Sequence, residues 1–431
     1  MTVRITKENP DRRGLSADVI DGLVEISRNY FLNNDDPETR IWIFRPDEPS
    51  LFLESSLQFG DDRFSVYIAD PFAGLQPILL NYESFANEIQ IPFRPTAILD
   101  SNIVKYLHHY VKSSSVLSTA QRNVIAEFLR FVVTKRLDYN AFFYCLEGAA
   151  KNEAGSLLNY AEEISHSILT LHTMDDSHFL NTGEIIVDPN VLSLYAQEFG
   201  AETIEDIAPL YARGMIAPTD PRLDGLSKLI YATLLKIGLI HKTSKAGIVA
   251  KFQELMRFMQ DVLNIGMGTE RMLALGYFAG KFDSFISIQK GAVTSKVLKR
   301  LRAAAWDLVL LRLPARLLAV SPENEITVGY ICTSDRALWQ IARTAKLEAV
   351  TKFMPHSPEG IPLMTYDPTP LELKISPAFM EQMLEADTKW QQSRIPDLMN
   401  AEGRISYESL LSLITDLERE VTAFCSSDKP L

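Results

Sequence analysis

The chain has 431 residues, of which 46% are apolar, and carries a formal net charge of -12. That length is sufficient for two or three domains, at least one of them with a large core. The acidic balance argues against a protein that coats polyanions, because non-specific nucleic-acid affinity depends on many Lys and Arg contacts to phosphates; a local basic groove remains compatible with it.

The cysteines and the apolar runs predict the compartment. Only three cysteines occur, without a CxxC pair, and this argues against a disulfide framework or a structural zinc site. The amino terminus lacks a signal-peptide core, and no uninterrupted run of about 18 apolar residues occurs. We therefore expect a soluble cytoplasmic protein without a membrane partner.

Residues 1–94 predict a small mixed α+β domain. An amphipathic helix is expected in SADVIDGLVEISRNYF, and strand-like alternation follows in TRIWIFRP, LFLESSLQF and RFSVYIADPF. Pro92 and Pro95 both resist helix formation and suggest a linker into the next domain.

Residues 95–366 predict an α/β domain. A short strand that ends in AILD opens it, and helices then dominate, with a helical insertion expected at about 150–295. Strands return in EITVGYICTSD and KLEAVTKF, with the helix RALWQIARTA between them, and this alternation suggests a parallel sheet. Residues 367–431 predict a helical extension, with helices in SPAFMEQMLEADTKWQQ and SYESLLSLITDLEREVTAF.

Two of these strands end in an aspartate that is followed by a helix. Asp100 closes AILD and Asp335 closes VGYICTSD. Open parallel sheets gather functional side chains at the carboxyl ends of their strands, so the two carboxylates could converge. The alternative is that each acid is only a helix N-cap, which accepts backbone N–H groups and complements the helix dipole.

Two further acids lie in apolar surroundings. Asp307 sits in the Ala-rich helix of KRLRAAAWDLVLLRL, and Glu147 follows an aromatic run in LDYNAFFYCLEGAAKN. A buried ionised acid needs a cation or a hydrogen-bond network, and for Asp307 the alternative is an ion pair with Arg300, Arg302 or Arg312. Clustered carboxylates repel one another unless divalent cations lie among them, and oxygen-only ligands favour Mg²⁺ or Mn²⁺.

Four patches, AILDSNIV, LEGAAK, AAAWDLVLL and ICTSDRALWQIA, resemble the acid-bearing signatures of PIN-like nucleases, the fold of bacterial toxin ribonucleases and, more distantly, of flap endonucleases. The resemblance implies a central parallel sheet flanked by helices and a pocket of three or four carboxylates that holds Mg²⁺ or Mn²⁺. It implies that Asp100 is the first-strand acid, Glu147 the helix glutamate, Asp307 the third acid and Asp335 the acid of the late TSD motif. Ser334 is similar to the hydroxyl residue that accompanies that last acid.

If the resemblance holds, the chain is a nuclease that hydrolyses phosphodiester bonds of RNA or DNA with metal assistance. By analogy, it points to a bacterial toxin or defence effector with a regulatory protein partner. Phosphate contacts are expected from Arg336, Lys299 and Arg300, together with Ser334; for the charge run before Asp307 a solvated helix face is the alternative.

Other signals favour no second chemistry. The stretch GYFAGKF lacks the spacing and the hydroxyl residue of a phosphate-binding loop, and the histidines lack the i, i+4 spacing of a helical metal pair. The competing function is a non-catalytic helical scaffold, in which the four acids are caps and ion pairs and amphipathic helices bind partner proteins.

Overall fold

The computed structural model describes residues 4–5, 39–49, 53, 56–81, 92–113, 115–151, 157–215, 221–283, 285–321, 325–353, 357–373, 376, several positions between 378 and 390, and 405–427. The chain divides into two compact units. The first unit comprises Met1–Thr219 and Leu310–Thr365, and the second comprises Asp220–Val309 and Tyr366–Leu431. The helix expected in SADVIDGLVEISRNYF lies outside the described residues, and most of the one expected in SPAFMEQMLEADTKWQQ does so as well.

The described strands form two sheets. In chain order they are β1 (Arg4–Ile5), β2 (Arg40–Pro49), β3 (Leu57–Gly60), β4 (Ser65–Ala69), β5 (Leu75–Leu80), β6 (Phe93–Leu99), β7 (Asp138–Asn140), β8 (Ile326–Thr333), β9 (Ala345–Phe353) and β10 (Ser357–Tyr366). One sheet has six strands in the order β1-β3-β4-β8-β6-β7, and the other has four in the order β10-β9-β2-β5. The predicted α/β class is confirmed.

The first sheet is mixed, whereas a parallel sheet was expected. Strand β6 runs parallel to both β7 and β8, but β4 pairs with β8 in the antiparallel sense. The parallel part has the apolar sequence of strands that are covered on both faces, because Ala97, Ile98 and Leu99 are almost completely buried. Direct pairing of Leu99 with Cys332 fixes the register of β6 against β8.

Pro92 and Pro95 do not form the expected linker, because β6 begins at Phe93 and includes Pro95. The carbonyl of Pro92 accepts a hydrogen bond from Ile326, so the alternation of the strand points Pro95 away from β8. On that other side, pairing with β7 begins only at Thr96. The missing N–H of Pro95 therefore interrupts no ladder bond.

The expected parallel pairing of KLEAVTKF is also replaced. Strand β9 belongs to the second sheet, where it pairs with β2 in the antiparallel sense. The helix that separates β8 from β9, α13 (Arg336–Ala342), has only seven residues. A parallel crossover needs a dozen or more residues, so this connection is too short to return the chain to the same sheet.

Helices surround the first sheet and extend from it. In chain order the first unit contains α1 (Ser101–Val111), α2 (Thr119–Thr134), α3 (Phe142–Lys151), α4 (Leu157–His172), α5 (Asp176–Thr182), α6 (Pro189–Phe199), α7 (Ile204–Met215), α12 (Leu313–Ala319) and α13. The start of α2 is well defined because Ser118 and Gln121 form a reciprocal capping box. Helix α12 packs on β8, and α2 packs on β3 and β4.

The described part of the second unit is helical. It contains α8 (Pro221–Thr243), α9 (Ile248–Arg257), α10 (Gly268–Phe278), α11 (Thr294–Leu310, which reaches the first unit at its end) and α14 (Tyr407–Ser426), and a π-helical turn, Phe258–Leu263, continues α9. Helix α14 packs against α8, where Glu418 accepts hydrogen bonds from Tyr231 and Arg302, each at 2.7 Å. None of the described helices has both the length and the apolar character that a membrane crossing requires.

These units differ from the domains expected from the sequence. Strands β3 and β4 belong to the same sheet as β6 and β8, so residues 1–94 are part of the α/β unit. The expected insertion at 150–295 is divided, since helices α4 to α7 belong to the first unit and α8 to α11 to the second. Residues 367–431 join the second unit, because α14 buries its apolar face, including Ile414 and Leu417, in the helical core.

Candidate functional site

Asp100, Glu147 and Asp335 follow three adjacent parallel strands. Asp100 comes directly after β6, Asp335 comes two residues after β8, and Glu147 lies on the helix that follows β7. The carboxyl ends of parallel strands meet at one edge of a sheet, and here the strand order β8-β6-β7 puts Asp100 on the middle strand. The structure thus brings three of the four expected acids to one edge.

Asp100 is 4% exposed and caps α1. Its backbone N–H donates to the carbonyl of Cys332 at 2.9 Å, which extends the β6–β8 ladder by one residue. Its Oδ1 accepts a long hydrogen bond of 3.4 Å from the N–H of Asn102. The N-cap interpretation is therefore correct for Asp100, and it does not conflict with the convergence of the acids.

Asp335 caps α13 in a similar way. Its Oδ1 accepts from the N–H groups of Ala337 and Leu338 at 2.7 and 3.1 Å. Its Oδ2 accepts no hydrogen bond from the described residues and remains open to another partner. A residue that caps with one oxygen can still offer the second oxygen to a cation.

Thr333 connects the two aspartates. Its hydroxyl donates to Oδ2 of Asp100 at 2.7 Å, and its oxygen accepts from the N–H of Asp335 at 3.0 Å. Thr333 is completely buried. The sequence pointed to Ser334 in this motif and not to Thr333. No sequence signal marks Thr333, because only the pairing of Cys332 with Leu99 brings its hydroxyl to Asp100.

Glu147 lies in the buried part of α3 and is 3% exposed. The hydroxyl of Ser101, the residue after Asp100, donates to Oε2 of Glu147. Helix α3 begins soon after β7, and Asn140 accepts from the N–H of Phe142 at 3.1 Å at its start. This short connection holds the helix that carries Glu147 at the same edge as Asp100.

The electrostatics of Asp100 reflect this crowding. Burial first, and then the negative charges of Glu147 and Asp335, raise the pKa of Asp100, whereas the hydrogen bonds from Thr333 and Asn102 lower it; the result is a pKa of about 6 instead of the ordinary 3.8. Ionisation of Asp100 is therefore unfavourable in this protein. A cation at this edge would relieve both the burial and the repulsion.

Asp307 is on α11, in the second unit, and is half-buried. The other three acids belong to the first unit. Of the arginines considered as its partners, Arg302 instead pairs with Glu418 at 2.7 Å. A role for Asp307 in the acid cluster stays a prediction.

The expected phosphate contacts divide between the two units. Ser334 is half-buried, and Arg336 is exposed with its Nη1 3.8 Å from Oδ1 of Asp62. Lys299 and Arg300 are exposed on α11, which agrees with a solvated helix face. Within the first unit, Ser334 and Arg336 flank Asp335 in the sequence.

The donor chemistry of this edge suits a hard divalent cation, because carboxylate and hydroxyl oxygens surround it. However, the described residues contain no group of three or more acid, His or Cys side chains at metal-binding spacing. The carboxylate oxygens are ligands of the type that such an ion prefers. A bound cation would also offset the negative charges of Glu147 and Asp335 that act on Asp100. Their present arrangement leaves Glu147 tied to Ser101 and Asp100 tied to Thr333.

A second polar cluster, which the sequence analysis missed, lies at the opposite end of β6 and β7. Nη2 of Arg94 contacts Asp138 at 2.7 Å, Asp138 contacts Nδ1 of His172 at 3.2 Å, and Nε2 of His172 is 3.2 Å from the hydroxyl of Tyr211. Burial lowers the pKa of His172. Both ring nitrogens of His172 thus have protein partners, which is the arrangement of a structural histidine.

Comparison with known proteins identifies no relative. No family model matches the chain, no curated protein is significantly similar to it, and no solved structure matches it.

Proposed function

We propose that this chain is a metal-dependent nuclease that hydrolyses phosphodiester bonds in single-stranded RNA or DNA. The observation that supports this proposal is the convergence of Asp100, Glu147 and Asp335 at the carboxyl edge of three adjacent parallel strands. Repulsion among buried carboxylates reduces stability, so a fold that assembles them gains most when a cation binds there.

In this proposal, Asp100, Glu147 and Asp335 hold Mg²⁺ or Mn²⁺. The ion supplies a bound water of lowered pKa and neutralises charge on the phosphate. Thr333 and Ser101 orient two of the ligands through their hydroxyl groups. Without the ion, burial and the neighbouring negative charges raise the pKa of Asp100 to about 6, and the ion would offset both effects.

Positive side chains would orient the nucleic-acid backbone. Arg336 directly follows Asp335 and is exposed, so it is the nearest candidate in sequence for a phosphate contact. Lys299, Arg300 and the fourth acid, Asp307, stay part of the proposal as residues of the second unit. An acidic protein binds nucleic acid only where positive charge and metal coincide.

A non-catalytic scaffold is the second candidate function, and one observation favours it. Asp100 and Asp335 are both helix N-caps. The hydroxyl groups of Thr333 and Ser101 bond to Asp100 and Glu147 within the protein. The described residues contain no group of acid, His or Cys side chains at metal-binding spacing. In that case the acids determine only where α1 and α13 begin.

The experiment that separates the two functions measures thermal unfolding with and without Mg²⁺ or Mn²⁺, together with cleavage of labelled single-stranded RNA and DNA. We expect metal to raise the melting temperature of the wild type, since a ligand of the folded state stabilises it. The double variant Asp100→Asn/Asp335→Asn should lose both the shift and cleavage, while asparagine still caps both helices.

Asp188→Asn is the matched control, because Asp188 also caps a helix and accepts from Asn190 at 2.8 Å, on α6. This variant should keep the metal response and cleavage of the wild type. An unchanged metal response in the double variant, or no cleavage by the wild type with either metal, would favour the scaffold.

A further inference from the structure

The turn between β3 and β4 lies next to the acidic edge. Strand β4 is antiparallel to β8, and Tyr67 pairs with Thr333. Continuing this register puts Ser65 level with Asp335, so the turn of residues 61–64 projects beyond the end of β8 on the side of the acids. None of the three clustered acids, Asp100, Glu147 and Asp335, belongs to this turn.

The conformation of the turn is strongly constrained. Gly60 has φ +91°, and a Cβ at this position would lie 2.2 Å from the carbonyl oxygen of Phe64. Oδ1 of Asp61 accepts from the N–H groups of Arg63 and Phe64 at 2.9 and 3.4 Å, and the N–H of Asp61 donates to the carbonyl of Phe64 at 3.1 Å. The side chain of Arg63 is thus presented from a fixed backbone.

The turn contacts both helices that the aspartates cap. Asp62 is 3.8 Å from Arg336 at the start of α13. On the other side, the ring of Phe64 packs edge-on against Tyr106 of α1, with ring centroids 4.9 Å apart. The turn therefore contacts the start of α13, next to Asp335, and the middle of α1, whose first turn follows Asp100.

The exposed groups of this surface combine cations with aromatic rings. Arg63 and Lys105 are exposed, and Phe64 and Tyr106 are each partly exposed. Asp61 accepts backbone N–H groups within the turn and Asp62 faces Arg336. The charge of Arg63 also acts on Asp61, but none of the described ion pairs within 4 Å includes the Arg63 guanidinium. A guanidinium beside partly exposed rings suits a phosphate followed by an unstacked base, which is the chemistry of single-stranded nucleic acid.

We propose that residues 61–64 and the adjoining face of α1 form a strand-binding lip for single-stranded nucleic acid. Arg63 contacts a backbone phosphate, and the Phe64–Tyr106 pair contacts a base beside the nucleotide that reaches the acids. This inference rests on the proposed nuclease function and adds to it the part of the surface that selects unpaired strands. A duplex keeps its base faces stacked and gains nothing from the rings.

The test measures binding of a fluorescein-labelled single-stranded oligonucleotide by anisotropy, in the presence of Mg²⁺. All proteins carry Asp335→Asn so that the strand is not cut. Arg63→Gln removes the cation, and Phe64→Leu removes the ring but keeps an apolar contact for Tyr106. Arg213→Gln is the matched control, because Arg213 is exposed on α7 of the same unit. Melting temperatures confirm that each variant is folded.

We expect Arg63→Gln to weaken binding several-fold. The slope of log K against the logarithm of the salt concentration should become shallower by about one unit, as expected for the loss of one phosphate contact. Phe64→Leu should weaken binding roughly tenfold, with duplex binding unaffected. Arg213→Gln should bind as the parent does. The lip proposal is wrong if both lip variants bind the single strand as tightly as the parent does. It is also wrong if the variants lose as much affinity for duplex as for the single strand.

Cleavage by proteins with Asp335 restored distinguishes this failure from failure of the proposed function. If cleavage depends on metal but the lip variants bind as the parent does, the lip proposal is rejected and the nuclease proposal stands. If the parent protein neither binds nor cleaves the strand, both proposals are rejected.

Discussion

The hydroxyl of Thr333 donates a 2.7 Å hydrogen bond to Oδ2 of Asp100, although the two residues are 233 positions apart in the sequence. The bond exists because Leu99 and Cys332 are direct partners in two parallel strands, so the next residue of each strand also meets its neighbour. One register thus determines the environment of both aspartates.

Asp100→Asn should stabilise the protein at neutral pH and have no such effect in acid. Below about pH 4, Asp100 is protonated in both the folded and the unfolded chain; above about pH 6, folding must bury its charge. The raised pKa corresponds to about 3 kcal/mol of lost stability once the pH exceeds 6. Asparagine is always neutral and caps α1 equally well.

Urea unfolding between about pH 4 and pH 8 measures this difference. The gain from Asp100→Asn should grow as the pH rises from 4 to 6 and then stay constant. A gain that is equal at every pH would show that the pKa of Asp100 is not raised. Asp188→Asn, at a more exposed N-cap, should show no comparable gain.

Removal of the Thr333 hydroxyl should raise the pKa of Asp100 further. Thr333→Val keeps the shape of the side chain but deletes the donor to Asp100 and the acceptor for the N–H of Asp335. Leaving these buried groups unsatisfied should cost about 1–3 kcal/mol. Thr333→Ser retains the hydroxyl and should cost less. The comparison is read from urea midpoints and from the pH at which the Asp100→Asn gain stops growing, which should move upward only in Thr333→Val.

The affinity for Mg²⁺ should fall as the pH drops below about 6, because a proton on Asp100 competes with the ion. Competition by one proton corresponds to about tenfold in affinity per pH unit. The magnesium dependence of the melting temperature, measured at several pH values and after removal of metal with a chelator, checks this expectation. Affinity that is independent of pH between 5 and 7, roughly one unit to each side of the raised pKa, would show that Asp100 is not a ligand.

The sequence predicted the strands that end in Asp100 and Asp335 because both signals are local: an apolar run, an acid, and a helix that needs a cap. It could not show that β9 belongs to another sheet, because pairing partners depend on contacts between distant segments. The same limit applies to Pro95, whose place in a strand depends on where β7 begins.

The site could be predicted in part for the same reason. Acids were recognised as unusual in apolar surroundings, and three of them converge. Thr333 and Ser101 were missed because a hydroxyl residue next to an acid is common in any sequence, and only the strand register gives these two their partners. Arg94 and Tyr211 were missed because their charge and polarity are ordinary until the fold brings them to the Asp138–His172 pair. Asp138 was considered only as a weaker candidate for the acid cluster.

Gly60→Ala should destabilise the protein by more than about 1–3 kcal/mol, since it combines backbone strain with a clash. The added Cβ would lie 2.2 Å from the carbonyl of Phe64 and 3.0 Å from Val124. Gly200→Ala is the control with strain alone, since Gly200 has φ +67° and nothing within 4 Å. It should cost about 1 kcal/mol. Equal urea midpoints for the two variants would contradict the tight packing of the β3–β4 turn.

Tyr211→Phe should destabilise the first unit by about 1 kcal/mol, because it deletes the hydroxyl bonded to Nε2 of His172 and keeps the ring contacts. Tyr195→Phe is the matched control. The Tyr195 ring also packs against His172, at 6.3 Å between centroids, but its hydroxyl forms no hydrogen bond with a described residue.

The pH dependence of this effect has a definite sign. Burial lowers the pKa of His172 in the folded chain below its ordinary value of 6.5, so the neutral ring contributes stability that is present above about pH 6.5 and is lost as the pH falls toward the folded pKa. Nδ1 of His172 lies 3.2 Å from Oδ1 of Asp138, and Nε2 of the neutral ring can accept from Tyr211, whereas the protonated ring has no acceptor nitrogen. The difference between wild type and Tyr211→Phe in urea unfolding should therefore shrink on acidification. A difference that grows in acid would mean that the Tyr211 hydroxyl accepts a hydrogen bond from Nε2 of the protonated His172 ring instead of donating to the neutral ring.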